Sequence, residues 1–247
     1  MLRVKNISKK FNGRQVLNEL TFCVNRGDFV VIMGPNGTGK STLFDSISGK
    51  IQVDQGTVFI DDIDITKHSE KERASYVGRL FQNTYLGSCA HLTVRENLAM
   101  ACLKGRKATL KNGVKALLEE EILSLCRELK VQLENLLDVP MGALSGGQRQ
   151  IISFIMAVSV RPKVMLLDEP TAALDPNSAT ELLSFAKNYA QMHGVPTLLI
   201  THDPLIAKHL GNRLWILQEG AIQCELGLEK SSMNPQEFFQ HIDYGRL

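Results

Sequence analysis

The chain has 247 residues, with 28 Lys+Arg against 26 Asp+Glu for a net charge of +2, and it is 44% hydrophobic and 22% charged. That composition excludes disorder as the main state, and the length gives one large domain or two small ones with a sizeable core. The near-balance of charge argues against an extended basic face that grips nucleic acid, so no nucleic-acid partner is expected.

In chain order, LRVKNI and LTFCV cluster apolar residues around the turn Asn12-Gly13 and predict short strands. Asp28 to Met33 (DFVVIM) is a continuous apolar run of the kind a strand buried on both faces carries. Gly34 breaks it, and Ser41 to Ser48 has helical spacing that stops at Gly49, giving strand, glycine-rich loop, helix. Residues 56–65 read as a further hairpin strand. From about Asn83 to Lys163 the texture turns helical: VRENLAMACL, the charged amphipathic stretch ALLEEEILSLCRELKVQLENLL, then QIISFIMAV. This predicts a helical subdomain inserted into an α/β core. The basic, polar segment Lys104 to Lys115 reads as a solvated loop. A buried strand returns at Lys163 to Asp168, followed by a helix from Asn177 to about His193, a strand at Pro196 to Thr201 and a hairpin near Arg213 to Cys224. The terminal NPQEFFQHI reads as a helix packed on the core.

The longest weakly charged run, Ile151 to Val160, is half the roughly 20 residues of a bilayer span. The N-terminus MLRVKNISKKF has no apolar stretch of a secretory signal, so a cytoplasmic chain is expected. Cys23, Cys89, Cys102, Cys126 and Cys224 show no C-x-x-C spacing and read as reduced, mostly buried side chains.

Three motifs carry chemistry. GPNGTGKS, Gly34 to Ser41, fits G-x-x-x-x-G-K-[ST] between a buried strand and a helix. Its glycines let backbone N–H groups form an anion nest, Lys40 reaches the β- and γ-phosphates, and the Ser41 hydroxyl suits Mg²⁺. VMLLDEP, Val164 to Pro170, delivers two acids at the carboxyl end of a strand, where open α/β sheets bind ligands. Asp168 suits Mg²⁺ through water, and Glu169 suits polarising the water that attacks the γ-phosphate. LSGGQRQ, Leu144 to Gln150, precedes a helix and offers Ser145 with the Gly146 and Gly147 amides as a second phosphate-gripping surface.

With these motifs the sequence resembles the ATP-binding cassette (ABC) family. The resemblance covers nearly the whole chain and implies a P-loop NTPase core of ABC type, with an antiparallel β subdomain and a helical subdomain over about residues 83–160. It implies one nucleotide-binding domain over residues 1–247. Two copies, or this chain and a second ABC subunit, pair head to tail around ATP and Mg²⁺. The implied ATP contacts are Phe11, stacked on adenine, and Gly34, Pro35, Asn36, Gly37, Thr38, Gly39, Lys40, Ser41 and Thr42. Leu144, Ser145, Gly146, Gly147 and Gln148 close on the ATP of the partner. Gln82 matches the Q-loop glutamine beside metal and attacking water, so Ser41, Gln82 and Asp168 form the metal set. Ala172, Ala173, Leu174 and Asp175 match the D-loop, and His202 matches the switch histidine. Lys40, Gln82, Glu169 and His202 form the implied catalytic set.

Departures are few. Ile151 and Met156 stand at two places where many members carry arginine, and Ala172 replaces a common serine. The resemblance implies an ATPase at the cytoplasmic face of the membrane, coupled to separate transmembrane permease subunits that dock near Asn83 to Asn97, with Tyr85 in the contact. An importer with an extracytoplasmic binding protein is expected. The pattern FQN-x3-GSCAHLTVRENLAMA is similar to the importer subgroup linked to binding proteins for aromatic amino acids. Open alternatives are a lipid or lipoprotein exporter and a soluble ATPase of iron–sulfur assembly.

Overall fold

The computed structural model describes residues 1–83, 85–104, 122–127, 131, 133, 135–234 and 236–238. Half of the amphipathic stretch after Lys115, the loop from 105 through Lys115 and the end of NPQEFFQHI lie outside these residues.

Two sheets organise the chain. The antiparallel one has the order β2-β1-β4-β5, from β1 (Leu2–Phe11), β2 (Arg14–Val24), β4 (Gln55–Ile60) and β5 (Ile63–Asp64). The β1–β2 hairpin turns at Asn12 and Gly13, both at positive φ, as the Asn-Gly pair allows. The second sheet has the order β10-β9-β3-β8-β7-β6. It comprises β3 (Phe29–Met33), β6 (Val77–Leu80), β7 (Val164–Asp168), β8 (Thr197–Ile200), β9 (Arg213–Gln218) and β10 (Ala221–Leu226). All its pairings are parallel except the β9–β10 edge.

The apolar run of β3 has a simple cause. Phe29, Val31 and Met33 join one hydrophobic cluster while Val30 and Ile32 join the other, so both faces of the strand are covered. β7 divides in the same way, with Met165 and Leu167 on one side and Val164 and Leu166 on the other. One cluster lies toward α3 (Val94–Cys102), α4 (Gly146–Val158) and α5 (Pro176–His193); the other includes α1 (Lys40–Ser48) and the antiparallel sheet. Residues 122–127 are helical, and Ile122 and Cys126 pack into the first cluster.

Among the described residues, three short strands or α-helices escape the sequence reading: β6, α2 (Glu70–Arg73) and α6 (Pro204–His209). Each is too short to show a period, yet caps mark both helices. Ser69 and Glu72 form a capping box at α2, and Asp203 accepts from the Leu205 and Ile206 amides at α6. Among the described residues no helix is long and apolar enough to cross a membrane.

Candidate nucleotide-binding site

The carboxyl ends of β3 and β7 carry the two motifs that the sequence places on strands. From β3 the chain enters the loop at Gly34 and reaches α1 through Gly39, whose φ is 101°. A Cβ at Gly39 would lie 2.6 Å from the Val16 carbonyl oxygen, so the loop can pass under β2 only with glycine there. Thr38 closes the loop by donating its hydroxyl to the Pro35 carbonyl at 3.0 Å. Lys40 Nζ donates to the Gly34 and Pro35 carbonyls at 2.7 and 2.8 Å, which aims its ammonium into the loop it belongs to. Burial pulls its pKa down from the ordinary lysine value, and the charges of Glu169 and Asp168 oppose that pull. Ser41 is exposed on the first turn of α1, and Thr42 follows with its carbonyl engaged by Ser46.

Asp168 ends β7 and Glu169 follows with φ 44°, a left-handed conformation unusual for a side chain of its size. Two of the predicted residues, Gln82 and His202, meet at a third, Glu169. Gln82 Nε2 donates to Glu169 Oε2 at 3.2 Å, and His202 Nε2 lies 2.9 Å from Glu169 Oε1. The carboxylate is thus held at both oxygens, one from the segment after β6 and one from the segment after β8.

Arg79 is the functional residue that the sequence reading misses. Its Nη2 lies 3.2 Å from Asp168 Oδ2, its Nη1 lies 2.6 Å from Asp45 Oδ1 and 3.0 Å from Ser48 Oγ, and its guanidinium sits over the Phe81 ring. The side chain is only 8% exposed. Burial raises the Asp168 pKa above the usual carboxylate range, and Arg79 works against that rise. The available signal was a lone cation in GRLFQN, three residues before Gln82 on a strand that packs against α1.

Ser41, Gln82 and Asp168 offer only neutral or carboxylate oxygens, which fits a hard divalent cation such as Mg²⁺. Among the described residues no group of three or more His, Cys, Asp or Glu side chains is placed to hold a metal. A Mg²⁺ here would therefore need oxygens from phosphate and water as well, as is usual for that ion.

The remaining predicted residues do not converge on this centre. Phe11 ends β1, 44% exposed, with Lys9 Nζ 5.4 Å from its ring centroid. Leu144 is buried, and Ser145 caps α4: its Oγ accepts from the Gln148 amide at 3.2 Å while Gln148 Oε1 accepts from the Ser145 amide at 3.1 Å. Among the described residues no hydrogen bond or ion pair joins 144–148 to 34–42. The signature instead neighbours the 172–175 turn. A Cβ on Gly146 would reach the Ala173 carbonyl oxygen at 3.8 Å, and one on Gly147 would press on Ser178 of α5. Ala172 donates its amide to Glu169 O, Leu174 donates to Thr171 O, and Asp175 caps α5 through the Asn177 and Ser178 amides. Gln150 links the regions, donating to the Pro170 carbonyl at 3.0 Å and the Phe81 carbonyl at 3.3 Å.

The chain belongs to the ABC transporter family, whose model matches residues 17–172. It is 36% identical to a Tyrosine transport ATP-binding protein of Clostridioides difficile (strain R20291), across 99% of both chains. It is 34% identical to the Glutamine transport ATP-binding protein of Escherichia coli (strain K12), across 98% of this chain and 100% of that one. Its fold matches a dimeric ATP-binding cassette in a post-hydrolysis state bound to ADP and Pi, with TM-score 0.78, 27% identity, and 92% and 99% of the two chains covered. The mixed α/β cassette expected from the motifs is the fold observed, and the family defines the chain as a transport ATPase that binds ATP.

Proposed function

We propose that this chain drives an amino-acid importer, hydrolysing ATP in a head-to-tail dimer seated on separate transmembrane subunits at the cytoplasmic face. The observation that carries the reading is Glu169 held between Gln82 and His202 while, among the described residues, no hydrogen bond or ion pair joins the signature of the same chain to the nucleotide loop. A second copy would bring its Ser145, Gly146 and Gly147 to the ATP held here. Similarity along whole chains to tyrosine and glutamine transport ATP-binding proteins supports an amino-acid cargo over a lipid or lipoprotein exporter and over iron–sulfur assembly. An extracytoplasmic binding protein completes the system.

Residues 34–42 cradle the phosphates, Lys40 exchanges its carbonyl partners for β- and γ-oxygens, and Phe11 stacks on adenine. Ser41, Asp168 and Gln82 would hold Mg²⁺, which would supply charge neutralisation on the transferring phosphoryl group. Glu169 Oε2 accepts a proton from the attacking water as its oxygen bonds to the γ-phosphorus and the bond to the β–γ bridging oxygen breaks. Gln82 and His202 orient the Glu169 carboxylate, and His202 also contacts the γ-phosphate. Residues 172–175 cross the dimer interface. Residues of about 83–160 act as the helical subdomain within one nucleotide-binding domain.

Glu169→Gln keeps the shape of the side chain and removes the base. Turnover is expected to fall by about 10²- to 10⁴-fold with ATP still bound in a dimer. Turnover near wild type would show that Glu169 is not the base. Purification from detergent-solubilised membranes tests the setting, since a polytopic partner is expected and recovery with soluble partners alone would sink the transporter reading.

A further inference from the structure

Tyr85 lies just beyond Gln82, and its ring does not stand free. The Arg149 guanidinium lies 4.4 Å from its centroid. A local turn sets the ring there: Asn83 Oδ1 accepts from the Tyr85 amide, and the Asn83 carbonyl accepts from the Leu86 amide, each at 3.0 Å. That turn starts one residue after Gln82, whose side chain holds Glu169.

On the other side of the stack Arg149, 8% exposed, uses its in-plane donors on the turn that leads into the signature. They reach the carbonyls of Leu144 at 2.8 Å, Met141 at 3.3 Å and Gly142 at 3.4 Å. The next residue is Ser145, the cap of α4. Gln82 and the turn that follows it therefore bear on Glu169 at one end and, through a single guanidinium, on the signature at the other.

We propose that Arg149 is a positioning residue for the signature and Tyr85 its removable lid. The segment after Gln82 thereby sets how firmly Ser145 and the first amides of α4 are aimed. A guanidinium covered on one face by an aromatic ring keeps its donors on the carbonyls, whereas an uncovered one competes with water for them. Tyr85 is 55% exposed, so a polypeptide packing on its outer face alters the stack without touching nucleotide. The proposal rests on the reading of Ser145 as a contact to the partner's ATP.

The test uses the full chain carrying Glu169→Gln, with ATP-dependent dimerisation followed by sedimentation. Tyr85→Ala is expected to weaken the dimer by roughly two- to fivefold, the range for one exposed cation–π contact. Tyr85→Phe keeps the ring and is expected to hold the parent value, and ATP affinity of the monomer stays unchanged in both. An unaltered dimer in Tyr85→Ala, or a Phe variant as weak as the Ala one, overturns the lid. A parent that stays monomeric with ATP overturns the head-to-tail reading beneath it.

Discussion

Gly147→Ala measures how tightly the signature helix is fitted against the turn beside it. An added Cβ would lie 2.5 Å from Ser178 Oγ and 2.8 Å from Ser178 Cβ. The hydroxyl cannot swing away freely, because it donates to Asp175 Oδ2 at 2.6 Å while Asp175 Oδ1 holds the Ser178 amide. Even a new rotamer leaves the Cβ–Cβ overlap, so α4 and α5 must separate by some tenths of an ångström. Overpacking of this kind costs about 1–3 kcal/mol. A glycine replaced in a helix regains up to about 1 kcal/mol, and less in the first turn, where Gly147 sits. The net loss is therefore about 1–2 kcal/mol, read as a lower urea midpoint at constant slope. Ser178→Gly alone loses one hydroxyl bond and some helix propensity, about 1 kcal/mol. The double variant has no clash, so it is expected to be more stable than the sum of the singles by about 1 kcal/mol or more. ATP-dependent dimerisation in the Glu169→Gln chain, weakened by Gly147→Ala, recovers in part with it. Additivity within about 0.5 kcal/mol would refute the reasoning, since neighbours in real steric conflict do not add.

Arg79→Met leaves Asp45 and Asp168 facing each other without their shared cation. A loss of about 3 kcal/mol in urea unfolding is expected, and an Asp45→Asn change added to it recovers part of that loss. A fall below about 0.5 kcal/mol would mean that the two ion pairs do not hold the site. At the far end of α6, Lys230 is buried and donates to the Ala207, Lys208 and Leu210 carbonyls, with burial pulling its pKa down to about 8. Unfolded lysine titrates near 10.4, so between these values the unfolded chain holds the extra proton and stability from this group rises with pH. The difference in Tm between wild type and Lys230→Met is expected to widen in favour of wild type from about pH 8 to 10. A flat difference would remove Lys230 as the titrating group.

The nucleotide loop and its flanking strands were legible because each carries a local signature. β3 and β7 read as buried since alternate residues feed two different clusters. Arg79 was not legible, because its partners Asp45 and Asp168 lie 34 and 89 positions away. A strand of four residues gives no period to reveal an inward-facing cation. The Asp-Pro steps at 175–176 and 203–204 do mark the starts of α5 and α6, as caps followed by proline in the first turn, although the sequence reading starts the first helix at Asn177 and omits the second. The meeting of Gln82 and His202 on Glu169 is a tertiary fact. Motif order implies it, and only the parallel sheet brings their strand ends together.

β3, β7 and β8 each contribute side chains to both hydrophobic clusters, so the two clusters share the same strands. Loosening one side of these strands removes packing from the side chains on the other. The two layers are therefore coupled through these strands, and a ligand that binds only the folded loop at residues 34–42 stabilises the sheet on which both layers rest.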